Sequence, residues 1–150
     1  MHHVDLDSLD FIERISQLDP TIRVRVAFPH SSAAGTASTA TVYFEVDPGA
    51  RLGRHTDSAE ELLLVLEGEG EATVGDESAL ARAGAIVTVP AMEPHDIRNI
   101  GRGPLRVLGF FSASTVVATF DEPTAPGGPQ VFVIGAPVRI ALPLAEPVLA

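Results

Sequence analysis

The chain has 150 residues, the size of one ordinary domain, and 45% of them are hydrophobic, which is enough for one closed core and too much for a disordered chain. Its 20 acidic residues outnumber its 10 basic ones and give a net charge of -10. We therefore expect no nucleic-acid partner and no attraction to anionic membrane surfaces. Cysteine is absent, which excludes disulfides, zinc–thiolate sites and thiol catalysis.

Hydropathy indicates a cytoplasmic protein. No apolar run approaches the roughly 18 residues of a membrane span. The first residues, Met1 to Asp5, are polar and acidic, unlike the basic start of a signal peptide. We accordingly expect neither a membrane partner nor export.

Residues 5–18 (DLDSLDFIERISQL) predict a helix at the start of the chain. Apolar side chains recur there at every third position and draw one stripe along a helix: Leu6, Leu9, Ile12, Ile15 and Leu18. Pro20 ends the pattern. Segment 1–20 is therefore expected to form a short amphipathic helix that packs against the rest of the protein.

After Pro20 the hydropathy period changes to two, which is typical of strands. Short strands are predicted over 22–28, 42–46, 60–67, 71–74, 78–82, 85–89, 95–100, 105–112, 115–120 and 131–134. Many short strands at regular spacing predict an all-β sandwich or barrel. We expect a single domain over 1–150, with the barrel at 21–120 and a linker and C-terminal arm at 121–150.

The strand at 60–67 is apolar on both faces. Glu61, Leu63 and Val65 point one way, and Leu62, Leu64 and Leu66 point the other way. If Glu61 faces the interior, the three leucines face outward, and a contiguous apolar row of this kind marks an interface. The sequence therefore predicts a two-fold homodimer.

Two segments carry the candidate chemistry, namely 49–68 (GARLGRHTDSAEELLLVLEG) and 84–99 (GAIVTVPAMEPHDIRN). They resemble the two motifs of the cupin superfamily, G-x5-H-x-H-x3,4-E-x6-G and G-x5-P-x-G-x2-H-x3-N. The matching residues are Gly49, His55, Glu61 and Gly68 in the first segment and Gly84, Pro90, His95 and Asn99 in the second. Asp57 stands where the first motif has its second histidine, and Met92 stands where the second motif has its middle glycine.

The resemblance implies a cupin double-stranded β-helix, also called a jelly-roll barrel, of the small single-domain bacterial type, loosely quercetinase-like. It also implies a divalent transition metal (Fe, Mn, Ni or Zn) held by His55, Asp57, Glu61 and His95. Residues i and i+2 of a strand share a face, so His55 and Asp57 can point inward together.

The aspartate at position 57 leaves three interpretations open. All four side chains can be ligands, and two carboxylates then favour a harder metal such as Fe(II) or Mn(II). Alternatively, His55, Asp57 and His95 form the facial triad of non-haem iron enzymes, with Glu61 beside them as an acid or base. In the third, the short side chain of Asp57 fails to reach the metal and the site is weak or empty. Asp57 can also cap the turn that follows it instead of binding metal.

The expected function is that of a metal-binding cupin acting on a small apolar or aromatic molecule, as a dioxygenase-like or an isomerase- or decarboxylase-like enzyme. Glu61 or Asp57 would shuttle a proton. The pocket is predicted to be lined by Leu63, Val65, Val87, Val89, Met92, Ile97 and Asn99. Three arginines near the motifs, Arg51, Arg54 and Arg98, can hold an anionic substrate or form surface ion pairs. The alternative is a non-catalytic module that binds or senses a small ligand, with an empty or structural metal site.

Overall fold

Strands make up most of the regular structure in residues 1–124 and 128–136, which the computed structural model describes. The strands are β1 (Ile12–Ile15), β2 (Arg23–His30), β3 (Ala40–Val46), β4 (His55–Asp57), β5 (Glu61–Glu67), β6 (Glu69–Val74), β7 (Glu77–Arg82), β8 (Ile86–Val89), β9 (His95–Asn99), β10 (Leu105–Phe111), β11 (Val116–Phe120) and β12 (Val131–Ile134). Single 3-10 turns lie at Leu6–Ser8 and Ser32–Ala34. The predicted all-β class is confirmed.

The strands form two six-stranded sheets in which all neighbours are antiparallel. The first sheet has the order β1-β2-β3-β10-β5-β8, and the second has the order β12-β11-β4-β9-β6-β7. Strands that are neighbours in a sheet are often far apart in the chain, as β3 and β10 are. The chain therefore crosses repeatedly between the two layers. This is the arrangement expected of a jelly roll.

The core lies between the sheets and follows from the alternation of side chains along each strand. Phe44 of β3, Val107 of β10 and Val65 of β5 occupy one row across the first sheet. All three are fully buried, and Ile97 of β9 meets them in the same cluster from the second sheet. The predicted parity of β5 is confirmed, since Glu61 faces inward.

The predicted N-terminal helix is wrong. Residues 5–18 contain only the 3-10 turn Leu6–Ser8 and the strand β1, which pairs antiparallel with β2. The three-residue spacing of apolar side chains was misleading, because Ile12, Ile15 and Leu18 are exposed. In β1 the alternation of a strand buries Arg14 and, just beyond it, Ser16 instead. Pairing with a sheet edge outweighed a weak local helix pattern.

The predicted linker and arm are only partly described. Residues 131–134 form β12, the outer strand of the second sheet, as the sequence predicts. The rest of the arm from 137 onward, and residues 125–127 of the linker, lie outside the described residues. No helix within the described ranges is long and apolar enough to cross a membrane.

Backbone conformation explains the motif residue Gly68 and marks Met92 as unusual. Gly68 lies between β5 and β6 at a φ of 91°, and a Cβ there would collide with the carbonyl oxygen of Pro104. Met92 has a φ of 63°, a left-handed conformation that favours glycine. Its N–H donates to the carbonyl oxygen of Asp57 at 2.8 Å. The turn before β9 therefore keeps the shape of a glycine turn without the glycine.

Candidate metal centre

Two adjacent strands of the second sheet bring the candidate ligands together. His55 begins β4 and Asp57 ends it, and both side chains point inward because they are two residues apart. His95 begins β9 and pairs directly with His55. Glu61 begins β5 in the first sheet and reaches the same interior after the short turn from Asp57. The four predicted residues thus converge from both layers of the sandwich.

The four side chains form a close, buried cluster. Asp57 Oδ2 lies 3.1 Å from Nε2 of His95 and 3.5 Å from Nε2 of His55. Glu61 Oε1 lies 3.5 Å from Nε2 of His95. All four residues are no more than 5% exposed. Donor atoms of His55, Asp57 and His95 lie within 4.8 Å of one another, which is compatible with binding one ion.

Backbone carbonyls fix the orientation of both imidazoles. Nδ1 of His55 lies 2.7 Å from the carbonyl oxygen of Gly53, and Nδ1 of His95 lies 2.9 Å from that of Glu93. Since a carbonyl can only accept, each Nδ1 carries a hydrogen and donates it. Both Nε2 atoms then face the cluster. Metal-binding histidines are commonly oriented by a backbone acceptor in this way.

Two atoms at the centre of the cluster lack hydrogen-bond partners among the described residues, namely Asp57 Oδ2 and His95 Nε2. Both are buried, and a buried polar atom without a partner is costly. A divalent cation would coordinate both the carboxylate oxygen and the imidazole nitrogen. The residues present therefore fit a metal ion.

Mutual attraction shifts the pKa values of the cluster. Burial acts to raise the pKa of Asp57, but the facing imidazoles outweigh it and lower that pKa to about 2. Burial acts to lower the pKa of His95, but Asp57 and Glu61 outweigh it and raise that pKa to about 10. Burial, supported by the negative charge of Asp57, raises the pKa of Glu61. The two carboxyl groups thus differ, since Asp57 is held ionised while Glu61 is pushed towards its protonated form.

Glu61 is held in place by close packing. Gly109 of β10 lies beside it, where a Cβ would collide with Glu61 Oε2 and lie 2.8 Å from Cγ1 of Val42. The absence of a side chain at Gly109 therefore makes room for the carboxyl group. Its neighbour Glu60 is exposed, as the strand alternation predicts.

A cavity of about 140 Å³ adjoins the cluster. His55, Asp57 and Glu61 line it at its buried end, and the exposed side chains of Ile12 and Phe28 lie at its open end. The remaining lining is apolar except for one arginine: Arg14, Val24, Val26, Val42, Phe44, Leu52, Phe111, Ala118, Phe120, Phe132 and Ile134. The cavity is suited to a small, mostly apolar molecule.

The model of the family described as "Cupin domain" matches residues 42–111. That range contains both motifs and all four residues of the cluster. Residues 42–111 therefore form a cupin domain.

The cupin relatives share part of the chain. An uncharacterized protein of Methanocaldococcus jannaschii is 37% identical over 51 residues, which is 34% of this chain and 41% of that protein. Oxalate decarboxylase from Lactobacillus farciminis, in a formate complex, has a TM-score of 0.62 at 21% identity, over 65% of this chain and 31% of the other. A candidate sugar phosphate isomerase from Acidithiobacillus ferrooxidans has a TM-score of 0.59 at 21% identity, over 77% and 76% of the two chains.

A further structural neighbour is named for its metal. The oxalate decarboxylase of Bacillus subtilis, studied for its Mn(II) centres, has a TM-score of 0.58 at 23% identity, over 66% of this chain and 28% of its own. This chain therefore spans less than a third of the oxalate decarboxylases and less than half of the Methanocaldococcus jannaschii protein. At these identities the solved structures show the fold alone.

The predicted pocket residues do not line the cavity beside the cluster, and this prediction needs correction. Four of them, Leu63, Val65, Val89 and Ile97, belong to the packed core. Val87 lines a second depression between β6, β7 and β8. These side chains do point inward, as predicted. Those on β5 and β8 lie at the end of the first sheet away from β1 and β2, which supply part of the cavity lining.

The last two predicted pocket residues have other positions. Asn99 is buried and donates to the carbonyl oxygens of Val46 and Gly103, each at 2.8 Å, so its role is structural. Met92 is 60% exposed on its turn, outside the cavity lining. Neither residue is placed to contact a ligand there.

The arginines near the motifs form ion pairs instead of facing the cavity. Arg51 pairs with Asp96 at 2.6 Å, and Arg98 pairs with Glu71 at 2.9 Å. Arg54 lies 3.6 Å from Asp121. The arginine that does line the cavity, Arg14, was missed because it fell inside the predicted helix. Only the strand parity of β1, with Arg14 and Ser16 on one face, would have indicated it.

Proposed function

We propose that this cupin binds a divalent metal through His55, Asp57 and His95 and acts as an isomerase- or decarboxylase-like enzyme on a small, mostly apolar molecule. The observation that carries the proposal is the orientation of the two imidazoles. Each Nδ1 is tied to a backbone carbonyl, and each Nε2 faces the same buried carboxylate. This is the two-histidine, one-carboxylate set of the facial triad.

Glu61 is the candidate acid–base group. It touches His95 but lies at the edge of the triad, and it lines the cavity. Burial raises its pKa, which brings the carboxyl group nearer to the range in which it can both hold and release a proton. Asp57 is less suited to that role because it is one of the three proposed ligands of the metal.

The chemistry follows from these positions. When bound, the cation would polarise a substrate carbonyl oxygen. Glu61 would take a proton from the neighbouring carbon, or return one to it, at its Oε atoms. The apolar walls would exclude water from that carbon. Two structural neighbours are named as a decarboxylase and an isomerase, which agrees with this choice.

Deuterium exchange tests the proton-transfer role. Metal-loaded protein is incubated with phenylpyruvate or 2-oxobutyrate in D2O, and loss of the C–H signal next to the carbonyl is followed by proton NMR. We expect exchange above the buffer rate, and a loss of about 100-fold or more of the catalysed rate in Glu61→Gln. Glu60→Gln is the matched control, because its side chain is exposed on the opposite face.

The outcomes separate the candidate functions. Equal catalysed rates in Glu61→Gln and the native protein would remove Glu61 from the mechanism. Bound metal without exchange on either probe would instead support the non-catalytic ligand-binding alternative.

A further inference from the structure

Arg14 is a buried cation that the metal centre does not use. Its side chain comes from β1, a strand outside both motifs, and the residue is only 6% exposed. Its guanidinium lies over the ring of Phe120, 3.7 Å from the centroid. The ring of His55 stacks on the same phenylalanine, with centroids 4.4 Å apart. The cation and the metal centre are therefore neighbours through one aromatic side chain.

The hydrogen bonds of Arg14 are incomplete. Nη1 donates to the carbonyl oxygen of Leu52 at 3.2 Å, and Nη2 donates to that of Glu122 at 3.0 Å. Nε is buried and has no partner within the described residues. A buried N–H without an acceptor is costly, and a charged one more so.

The charge of Arg14 is compensated only in part, by the attraction of Asp96 at a distance. Its two acceptors are neutral carbonyls, and no ion pair joins it to a carboxylate in the described part of the chain. Burial lowers its pKa to about 10, so the group remains a cation at neutral pH. The other arginines that flank the motifs each have an acidic partner.

We propose that Arg14 binds the carboxylate of the ligand, so that the cavity takes a small apolar monocarboxylate. The assignment builds on the proposed function, in that it takes the cavity beside the metal centre as the substrate site. One free N–H can donate to a single carboxylate oxygen, and a hydrogen bond between two charged groups is among the strong ones. The cavity volume of about 140 Å³ and its apolar walls limit the rest of the molecule to a short hydrocarbon or a single ring.

Binding of benzoate and benzamide tests the assignment, because the two probes share a shape and differ in charge. Their affinities are measured by calorimetry on metal-depleted protein and again on metal-loaded protein. We expect benzoate to bind metal-depleted native protein at least about tenfold more tightly than benzamide. We expect Arg14→Met to reduce that preference to about twofold or less and Arg14→Lys to retain part of it. Arg82→Met, at an exposed arginine of β7, should retain the full preference.

Equal affinity for the two probes in the native protein, or no binding of either, would overturn the assignment whether or not the variants fold. So would a preference that survives in folded Arg14→Met. A preference seen only in metal-loaded protein and unchanged in Arg14→Met would assign the carboxylate to the metal and leave the proposed function standing. Failure of the protein to bind metal, with the benzoate preference intact in its metal-depleted form, would refute the proposed function and support the role of Arg14.

Discussion

Nε2 of His95 lies 3.1 Å from Oδ2 of Asp57, and neither atom has a hydrogen-bond partner among the described residues. In the motif that the sequence resembles, the position of Asp57 belongs to a histidine. The shorter aspartate still reaches the cluster, because its strand places it directly beside His95. The turn-capping alternative for Asp57 is therefore not what its side chain does.

Neutralising Asp57 should weaken metal binding far more than neutralising Glu61. If Asp57 is a ligand, Asp57→Asn removes the only negative charge of the triad, and the dissociation constant should rise by more than about 100-fold. If Glu61 stands beside the triad, Glu61→Gln should raise the dissociation constant about tenfold. This is the lower end of the range typical of residues that contact a metal ligand without binding the metal. Competition with a metal-binding dye measures both. Equal losses of more than about 100-fold would favour four ligands over the facial triad.

Removing both histidines should abolish metal uptake. We expect near-stoichiometric Fe, Mn, Ni or Zn in untagged native protein, and almost none in the His55→Ala/His95→Ala double variant, by elemental analysis. His30→Ala is the control, since this histidine lies near the 3-10 turn Ser32–Ala34, outside the cluster. A stable native protein that takes up no added divalent ion would contradict the metal proposal.

A methyl group at Gly109 should disturb the packing of Glu61. A Cβ there collides with Glu61 Oε2 and approaches Val42, so Gly109→Ala should destabilise the protein by about 1–3 kcal/mol. Gly103→Ala is the matched control, because no atom lies within 4 Å of a Cβ at that position. Urea unfolding measures both free energies. Equal free energies of unfolding in the two variants would mean that the interior beside Glu61 can rearrange without loss of stability.

We propose that the outer face of the first sheet is a dimer interface. Leu62 and its cross-strand neighbour Phe110 are each 43% exposed, and Ile86, opposite Leu64, is 65% exposed. Burying such side chains stabilises an assembly by about 1.5–3 kcal/mol each when burial is complete. Light scattering at low micromolar concentration should give a dimer, and Leu64→Glu should give a monomer. Leu80→Glu, in the second sheet, should remain dimeric, and a monomeric native protein would refute the interface.

The strands and the cluster could be predicted from the sequence because both depend on local rules. Alternation places Glu61, Leu63 and Val65 on one face whatever surrounds them, and the motif spacing locates the four cluster residues. The cavity could not be predicted in the same way. Part of its wall comes from β1, β2 and β12, whose positions depend on pairing between distant parts of the chain.

Arg14 shows most clearly what could not be predicted from the sequence. A short segment with apolar residues at every third position satisfies a helix pattern, and only the edge of the first sheet converts it into a strand. That conversion also moves an arginine from an expected surface to the interior. The wrong helix prediction therefore concealed both the strand β1 and Arg14, on which the ligand proposal depends.

In the second sheet, the pairing between β4 and β9 at the candidate metal centre is short. β4 and β9 share a single register pair, His55 with His95, whereas β6 pairs with β9 over five residues and with β7 over six. A cation held by both strands would link them where the sheet has the fewest paired residues. Release of the cation would require β4 and β9 to separate locally. Chelators should then strip the ion at a rate that is limited by this local opening and independent of chelator concentration, and amide protons of β4 and β9 should exchange faster once it has gone.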